Sequence, residues 1–238
     1  MLKRFVVALL LSLFATSWAY AGSKDDPLLW SVDVDRLEIR DVNGDVNGDN
    51  ALYLNAKTWL GTDLHKVVVK TEMERVHGVT DEAEWQVLYS LPIATYWDFQ
   101  VGLRQDFKPN PSRTWGVLSI EGLAPGFIDT ELSVFIGESG RTEYRVEAKY
   151  EMPITQKVTL VSEIELNLSG KNDEEAGVGS GLSETELSFL LNYEINRKLL
   201  PYVGVHWTRK FGKTADYARA ENEDRNEAVL VIGLSAWF

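Results

Sequence analysis

The chain has 238 residues, a formal charge of −12 at neutral pH and no cysteine. That acidity excludes a nucleic-acid partner, which needs Lys and Arg to displace the counterions of phosphate. Without cysteine, an exported chain must hold its fold through a large core or through closed backbone hydrogen bonding rather than through disulfides.

The chain opens MLKRFVVALLLSLFATSWAYAGSKDD. Lys3 and Arg4 precede an apolar run from Phe5 to Phe14 and a small-residue site at Ala19-Tyr20-Ala21, the layout of a secretory signal peptide over 1–21, cut after Ala21. The run is too short to span a bilayer as a helix. Cleavage removes Lys3 and Arg4 and moves the formal charge from −12 to −14. Residues 22–28 then form a short periplasmic segment ahead of a domain over 29–238.

After Ala21 no stretch approaches the ~20 continuous apolar residues of a membrane helix. The pattern has period two instead, in about twelve segments near the ~10 residues of a tilted membrane strand. They fall at 29–40, 51–60, 65–76, 83–92, 95–107, 113–123, 127–138, 141–152, 156–169, 183–195, 200–211 and 226–238. In RTEYRVEAKYEM, for example, Thr142, Tyr144, Val146, Ala148, Tyr150 and Met152 oppose Glu143, Arg145, Glu147, Lys149 and Glu151.

In 183–195, Leu187, Phe189, Leu191 and Tyr193 oppose Glu184, Glu186, Ser188 and Asn192. A soluble sheet would bury the apolar parity, whereas a membrane barrel turns it to lipid and the charges to a wet lumen. Of the seven tryptophans after the leader, at 30, 59, 85, 97, 115, 207 and 237, many lie near the ends of candidate strands, as in interfacial girdles, although a sandwich core is also rich in aromatics.

Connection lengths separate the two readings. The long connections, 41–50, 170–183 and 212–226, are all odd-numbered, while the even-numbered ones at 61–64, 93–95, 124–126, 154–156 and 196–200 are short. Bacterial barrels alternate short periplasmic turns with long outer loops in this way. The expected fold is therefore an all-β, transmembrane, antiparallel up-and-down barrel of about 12 strands. The first long loop, DVNGDVNGDN, has oxygens at Asp41, Asn43, Asp45 and Asp49 but lacks a closing Glu and EF-hand spacing, so it reads as a solvated turn. The chain ends AVLVIGLSAWF, with terminal Phe238 on the parity of Leu230, Ile232, Leu234 and Ala236.

From about residue 51 the chain resembles the copper resistance protein B family. The resemblance runs through 96–156, which includes GLRQDFKPNPSRTWGVLSIEGLAPGF and GESGRT, through 165–224, which includes GKTAD, and through the aromatic end. It implies a barrel in the outer membrane of a Gram-negative bacterium, surrounded by lipid, that handles copper ions and is not an enzyme. Members of the family carry a long Met- and His-rich region between leader and barrel, whereas only GSKDDPL separates Ala21 from the first strand here. After the leader, the two methionines, Met73 and Met152, fall on the lipid parity. Soft thioethers select Cu(I), so this composition argues against storing that ion. A barrel without the Met-rich region calls for a periplasmic copper-binding partner protein.

Imidazole is available at His65, His77 and His206. His65 and His77 end the same strand at opposite faces and cannot share an ion. His206 lies on the polar parity of its strand with Tyr202, Gly204, Thr208 and Lys210, and across the neighbouring strands stand Glu163 and Glu147, with Glu165, Glu186 and Glu194 above and below. The metal candidates are thus His206, Glu163, Glu147, Glu165 and Glu186, a mixed imidazole and carboxylate set suited to Cu(II) or Zn(II). With Arg145, Lys149, Lys70, Arg104 and Arg209 the same carboxylates also fit an ion-pair network filling the lumen. The rivals are a purely structural barrel and, from another class, an outer-membrane hydrolase, which needs a nucleophile beside an oriented His; no Ser or Thr stands out for that role.

Overall fold

A computed structural model describes residues 27–41, 50–76, 78–221 and 223–238. The leader, most of the 41–50 loop and His77 lie outside the described residues. Twelve strands follow in chain order: β1 (Leu29–Asp41), β2 (Asn50–Gly61), β3 (Lys66–Val76), β4 (Val79–Ala94), β5 (Trp97–Lys108), β6 (Arg113–Ala124), β7 (Ile128–Gly137), β8 (Thr142–Pro153), β9 (Val158–Ser169), β10 (Gly181–Tyr193), β11 (Leu199–Lys210) and β12 (Asn226–Trp237).

Each strand pairs antiparallel with its chain neighbours, and β1 closes on β12 through partners such as Ile39 with Ile232. Closure leaves no unpaired edge, so every wall strand has its backbone groups satisfied on both sides. The connections after β2, β4, β6, β8 and β10 are tight turns. Thr62 N donates to His65 O at 2.8 Å in the first of them, and Gly126 supplies a φ of 93° in the third. At the opposite end the connection between β11 and β12 begins with a helix, α1 (Gly212–Ala220). Its buried Thr214 accepts a hydrogen bond from Gly179 N at 2.9 Å, which joins α1 to the loop after β9.

The faces follow the two-residue period. Leu230, Ile232, Phe189, Val203 and Tyr144 are exposed on the outside, with Leu230 at 65 %, and they form the apolar band a bilayer requires. Phe238 joins that band, while Ala236 on the same parity is buried.

The interior departs from expectation in one respect. It is not uniformly polar: Val68, Leu88, Trp115, Val117 and Phe135 form one apolar cluster on the inner wall, with Trp59 against it, and Val161, Leu190, Tyr202, Val229 and Val231 form another. Trp115 (2 % exposed) and Trp59 therefore do not belong to a lipid girdle, whereas Trp30, Trp85 and Trp237 are exposed. Trp115 points inward because it shares the parity of Val117, Ser119 and Glu121 on β6.

Candidate functional site

The lumen contains a cavity of about 810 Å³. It starts at the short-turn end among Asp33, Asp98, Arg197 and Trp237 and reaches Glu84, Glu165, Glu186 and His206 in the upper half of the wall. Thirteen Asp and Glu side chains line it against seven Lys and Arg, so its field is negative.

His206 is 4 % exposed and faces this cavity from β11. Its register partner on β10 is Ser188, which in turn is paired with Glu163 on β9. The imidazole is held on both nitrogens. Nδ1 lies 2.8 Å from Ser188 Oγ; Nε2 lies 3.0 Å from a Glu186 carboxylate oxygen and 3.2 Å from Thr208 Oγ1.

The five sequence candidates therefore share one wall but not one cluster. Glu186 meets His206. Glu163 is engaged by Arg36 from β1. Glu165 is engaged by Arg145 at 3.2 Å and accepts from Asn167 Nδ2 at 2.7 Å. Glu147 stands in direct register between Glu131 and Glu165, and among the described residues it makes no hydrogen bond or ion pair. Also among the described residues, no group of three or more His, Cys, Asp or Glu is arranged to hold a metal ion. His65 is remote from all of this: its Nδ1 lies 2.6 Å from the Tyr89 hydroxyl, and the two rings stack.

The lysine-bearing part of the cavity is cross-linked by ammonium groups. Lys57 pairs with Glu121, Lys70 lies 2.5 Å from Glu131 and 3.6 Å from Glu121, and Lys66 lies 3.1 Å from Asp98. Above the cavity, toward the long loops, the packing is dense. Arg104 lies 2.9 Å from Glu84, 2.7 Å from Asp106 and 3.5 Å from Glu143, and its guanidinium sits 4.5 Å from the centre of the Phe135 ring. Trp115 Nε1 donates to Asp106 at 2.8 Å. Arg40 bridges Glu38 and Glu74, both at 2.8 Å, and stacks 3.7 Å over Tyr53.

Two features escaped sequence reading. Ser188 is a hydroxyl beside His206, and only the β10–β11 register brings the two together. The arginine and aromatic layer also needed the fold, although the inward parity of Trp115 and Phe135 with Arg104 was a usable signal.

A protein-family model described as copper resistance protein B precursor matches residues 28–238. A "Copper resistance protein B homolog" of Pseudomonas syringae pv. tomato is 43 % identical over 204 residues, covering 86 % of this chain and 68 % of that protein. "Copper resistance protein B" of Escherichia coli is 36 % identical over 189 residues, covering 79 % of this chain and 64 % of that protein. The chain thus spans about two thirds of the length of these relatives. Among solved structures, NanC porin superposes with a TM-score of 0.57 at 16 % identity, over 86 % of this chain and 98 % of the porin. KdgM porin does so with a TM-score of 0.50 at 13 % identity, over 87 % and 99 %. At these identities the likeness concerns the fold alone.

Proposed function

The chain belongs to the copper resistance protein B family, and from that premise we propose that it serves copper tolerance as a non-enzymatic outer-membrane barrel whose acidic lumen binds or passes copper ions. The observation that carries this reading is the His206–Glu186 contact of 3.0 Å on the wall of a cavity with thirteen carboxylates. An imidazole next to a carboxylate offers, once their mutual contact opens, two ligands of the type Cu(II) accepts. Glu163, Glu165 and Glu147 stand on the next two strands, and any of them completes the set, Glu163 and Glu165 by exchanging an arginine for the ion and Glu147 directly. Two fixed ligands with exchangeable additions hold an ion transiently, as a cargo site requires, and the fixed negative field raises the local cation concentration around them.

The same reading places the protein in the outer membrane of a Gram-negative bacterium after removal of residues 1–21, with lipid against its apolar band and a periplasmic copper-binding protein at the short-turn mouth. Calorimetric titration of folded protein in detergent with Cu(II), and separately with Cu(I), tests it. Cu(II) binds the wild type, and His206→Ala and Glu186→Gln each weaken it at least tenfold; unchanged affinity in both variants removes the site. Because the ligands must be deprotonated, binding weakens as pH falls.

One observation favours a second reading. Ser188, His206 and Glu186 form a chain of hydroxyl, imidazole and carboxylate that matches the layout of an activated nucleophile. Ser188 is, however, 2 % exposed. A fluorophosphonate that labels the wild type and not Ser188→Ala establishes hydrolysis; unlabelled protein that binds Cu(II) dismisses it.

A further inference from the structure

Among the described residues the cavity does not run the length of the barrel. Its lining includes Asp33, Asp98 and Trp237 at the short-turn end, but none of Arg40, Arg104, Asp106, Trp115, Phe135 or Glu143. Those six fill the lumen on the long-loop side, where Phe135 is 1 % exposed and Arg104 is packed between carboxylates and the Phe135 ring. A second space of about 90 Å³, beside Trp115, Arg113 and Arg141, shares no lining residue with the first. Beyond it, Asp173 in the loop after β9 binds Arg113 at 2.7 Å and Arg141 at 2.9 Å, which ties that loop to the start of β6 and to the connection between β7 and β8 over the same end.

A second feature runs along the cavity wall. Asp98, Glu121, Glu131, Glu147, Glu165 and Glu186 occupy directly paired positions on six successive strands, β5 to β10. Paired positions in an antiparallel sheet hold Cβ atoms about 4.5–5.5 Å apart. Asp98 is the second residue of β5, at the mouth, while Glu186 is the sixth of β10, beneath the long loops. The row therefore climbs from the mouth to His206.

The wall also carries oxygens that lack donors. Gln100 is 2 % exposed, donates its Nε2 to Glu121 at 2.8 Å and leaves its amide oxygen without a partner. Asn192, on the strand of Glu186, has an unpartnered buried amide oxygen on the same cavity. Buried acceptors without donors are costly unless something satisfies them, and a hydrated or partly dehydrated cation does so.

We infer that the lumen is a blind vestibule: a divalent cation enters at the short-turn, periplasmic mouth, moves along the carboxylate row to the His206–Glu186 pair, and leaves by the same mouth. The inference rests on the copper reading for its occupant and on the packed layer for its direction. Copper is then held from the periplasmic side rather than conducted across the outer membrane.

Two measurements on the full barrel decide it. In planar bilayers with potassium chloride, wild-type conductance is less than a tenth of that of a Trp115→Ala, Phe135→Ala double variant, because the variant removes the two rings that close the lumen. Equal conductance overturns the blind end. Should the double variant fail to fold, the absence of native cysteine permits a Thr159→Cys probe in an otherwise intact seal, Thr159 being on the cavity wall near the mouth. In vesicles with the long loops outward, a cationic methanethiosulfonate reagent labels this thiol at least tenfold faster from the inside than from the outside. Equal rates, with Cu(II) still bound in calorimetry, overturn one-sided access alone. Absence of Cu(II) binding overturns the copper reading and, with it, the cation as occupant, whichever way the labelling falls.

Discussion

The packed layer toward the long loops is built on two arginines, Arg40 and Arg104, with Arg145 at its border with the cavity, whereas four of the seven cations on the cavity are lysines, Lys57, Lys66, Lys70 and Lys149. Both regions arise from the same alternation of wall residues, and both hold the same kind of carboxylate. What differs is the shape of the cation. A guanidinium is planar, offers donors in a fork and stacks on rings, so each arginine can join two or three carboxylates and still pack against Tyr53, Phe135 or Trp115. An ammonium is compact and strongly hydrated, and needs water around it. The layer around Arg40 and Arg104 is consequently solid, and the lysines border the cavity.

The largest expected effect comes from breaking the solid layer. Arg104→Ala leaves Glu84, Asp106 and Glu143 without their shared cation in a packed environment, which costs about 3–5 kcal/mol. The counterpart on the cavity wall, Lys70→Ala, costs less, because water in the cavity reaches the Glu131 and Glu121 carboxylates that it leaves behind. Reversible urea unfolding in liposomes, followed by tryptophan fluorescence, measures both. Equal losses would mean that the two regions are alike in solvation, and the distinction would fall.

A smaller effect comes from Gly137, the register partner of Trp115. A Cβ there would sit 2.6 Å from the Trp115 ring. Gly137→Ala must therefore displace the indole, at about 1–3 kcal/mol as an overpacking change. The same substitution raises bilayer conductance above that of the wild type, because the moved ring is part of the seal. A destabilised but still silent barrel would locate the closure elsewhere, in the loops or in Arg40 and its partners.

The wall was legible in the sequence and the filling was not. Twelve alternating runs, with long connections confined to one parity, fixed strand number, face and termini to within a few residues. The 83–92 segment was the poorest, since β4 begins at Val79: Thr80 and Glu82 extend the ladder opposite Arg75 and Glu74 without any apolar alternation to announce it. His206, Glu163, Glu147, Glu165 and Glu186 were all correctly placed on the inner face, because parity alone decides that. Which of them touch was beyond reach of parity. The His206–Glu186 contact depends on diagonal packing between strands paired Ser188 to His206, and Arg36 crosses the lumen to take Glu163. Trp115 and Trp59 could not be told from girdle residues because tryptophan at a membrane strand end has two uses, and position along the strand does not separate them.

Glu147 gives the smallest effect and the sharpest sign. It faces Glu131 on one side and Glu165 on the other, and like charges directly opposite one another destabilise a sheet pair by about 0.2–1 kcal/mol. Its neighbours are compensated by Lys70 and Arg145, while Glu147 itself has no hydrogen bond or ion pair among the described residues. Glu147→Gln keeps the shape and removes the repulsion, so the barrel should gain a few tenths of a kcal/mol in urea unfolding. A residue kept only for packing or solubility would show nothing further. If the carboxylate row carries the cation, the same variant weakens Cu(II) binding two- to fivefold while the fold grows more stable. Stability and binding that move together, in either direction, would instead make Glu147 an ordinary wall residue and would break the row at its midpoint.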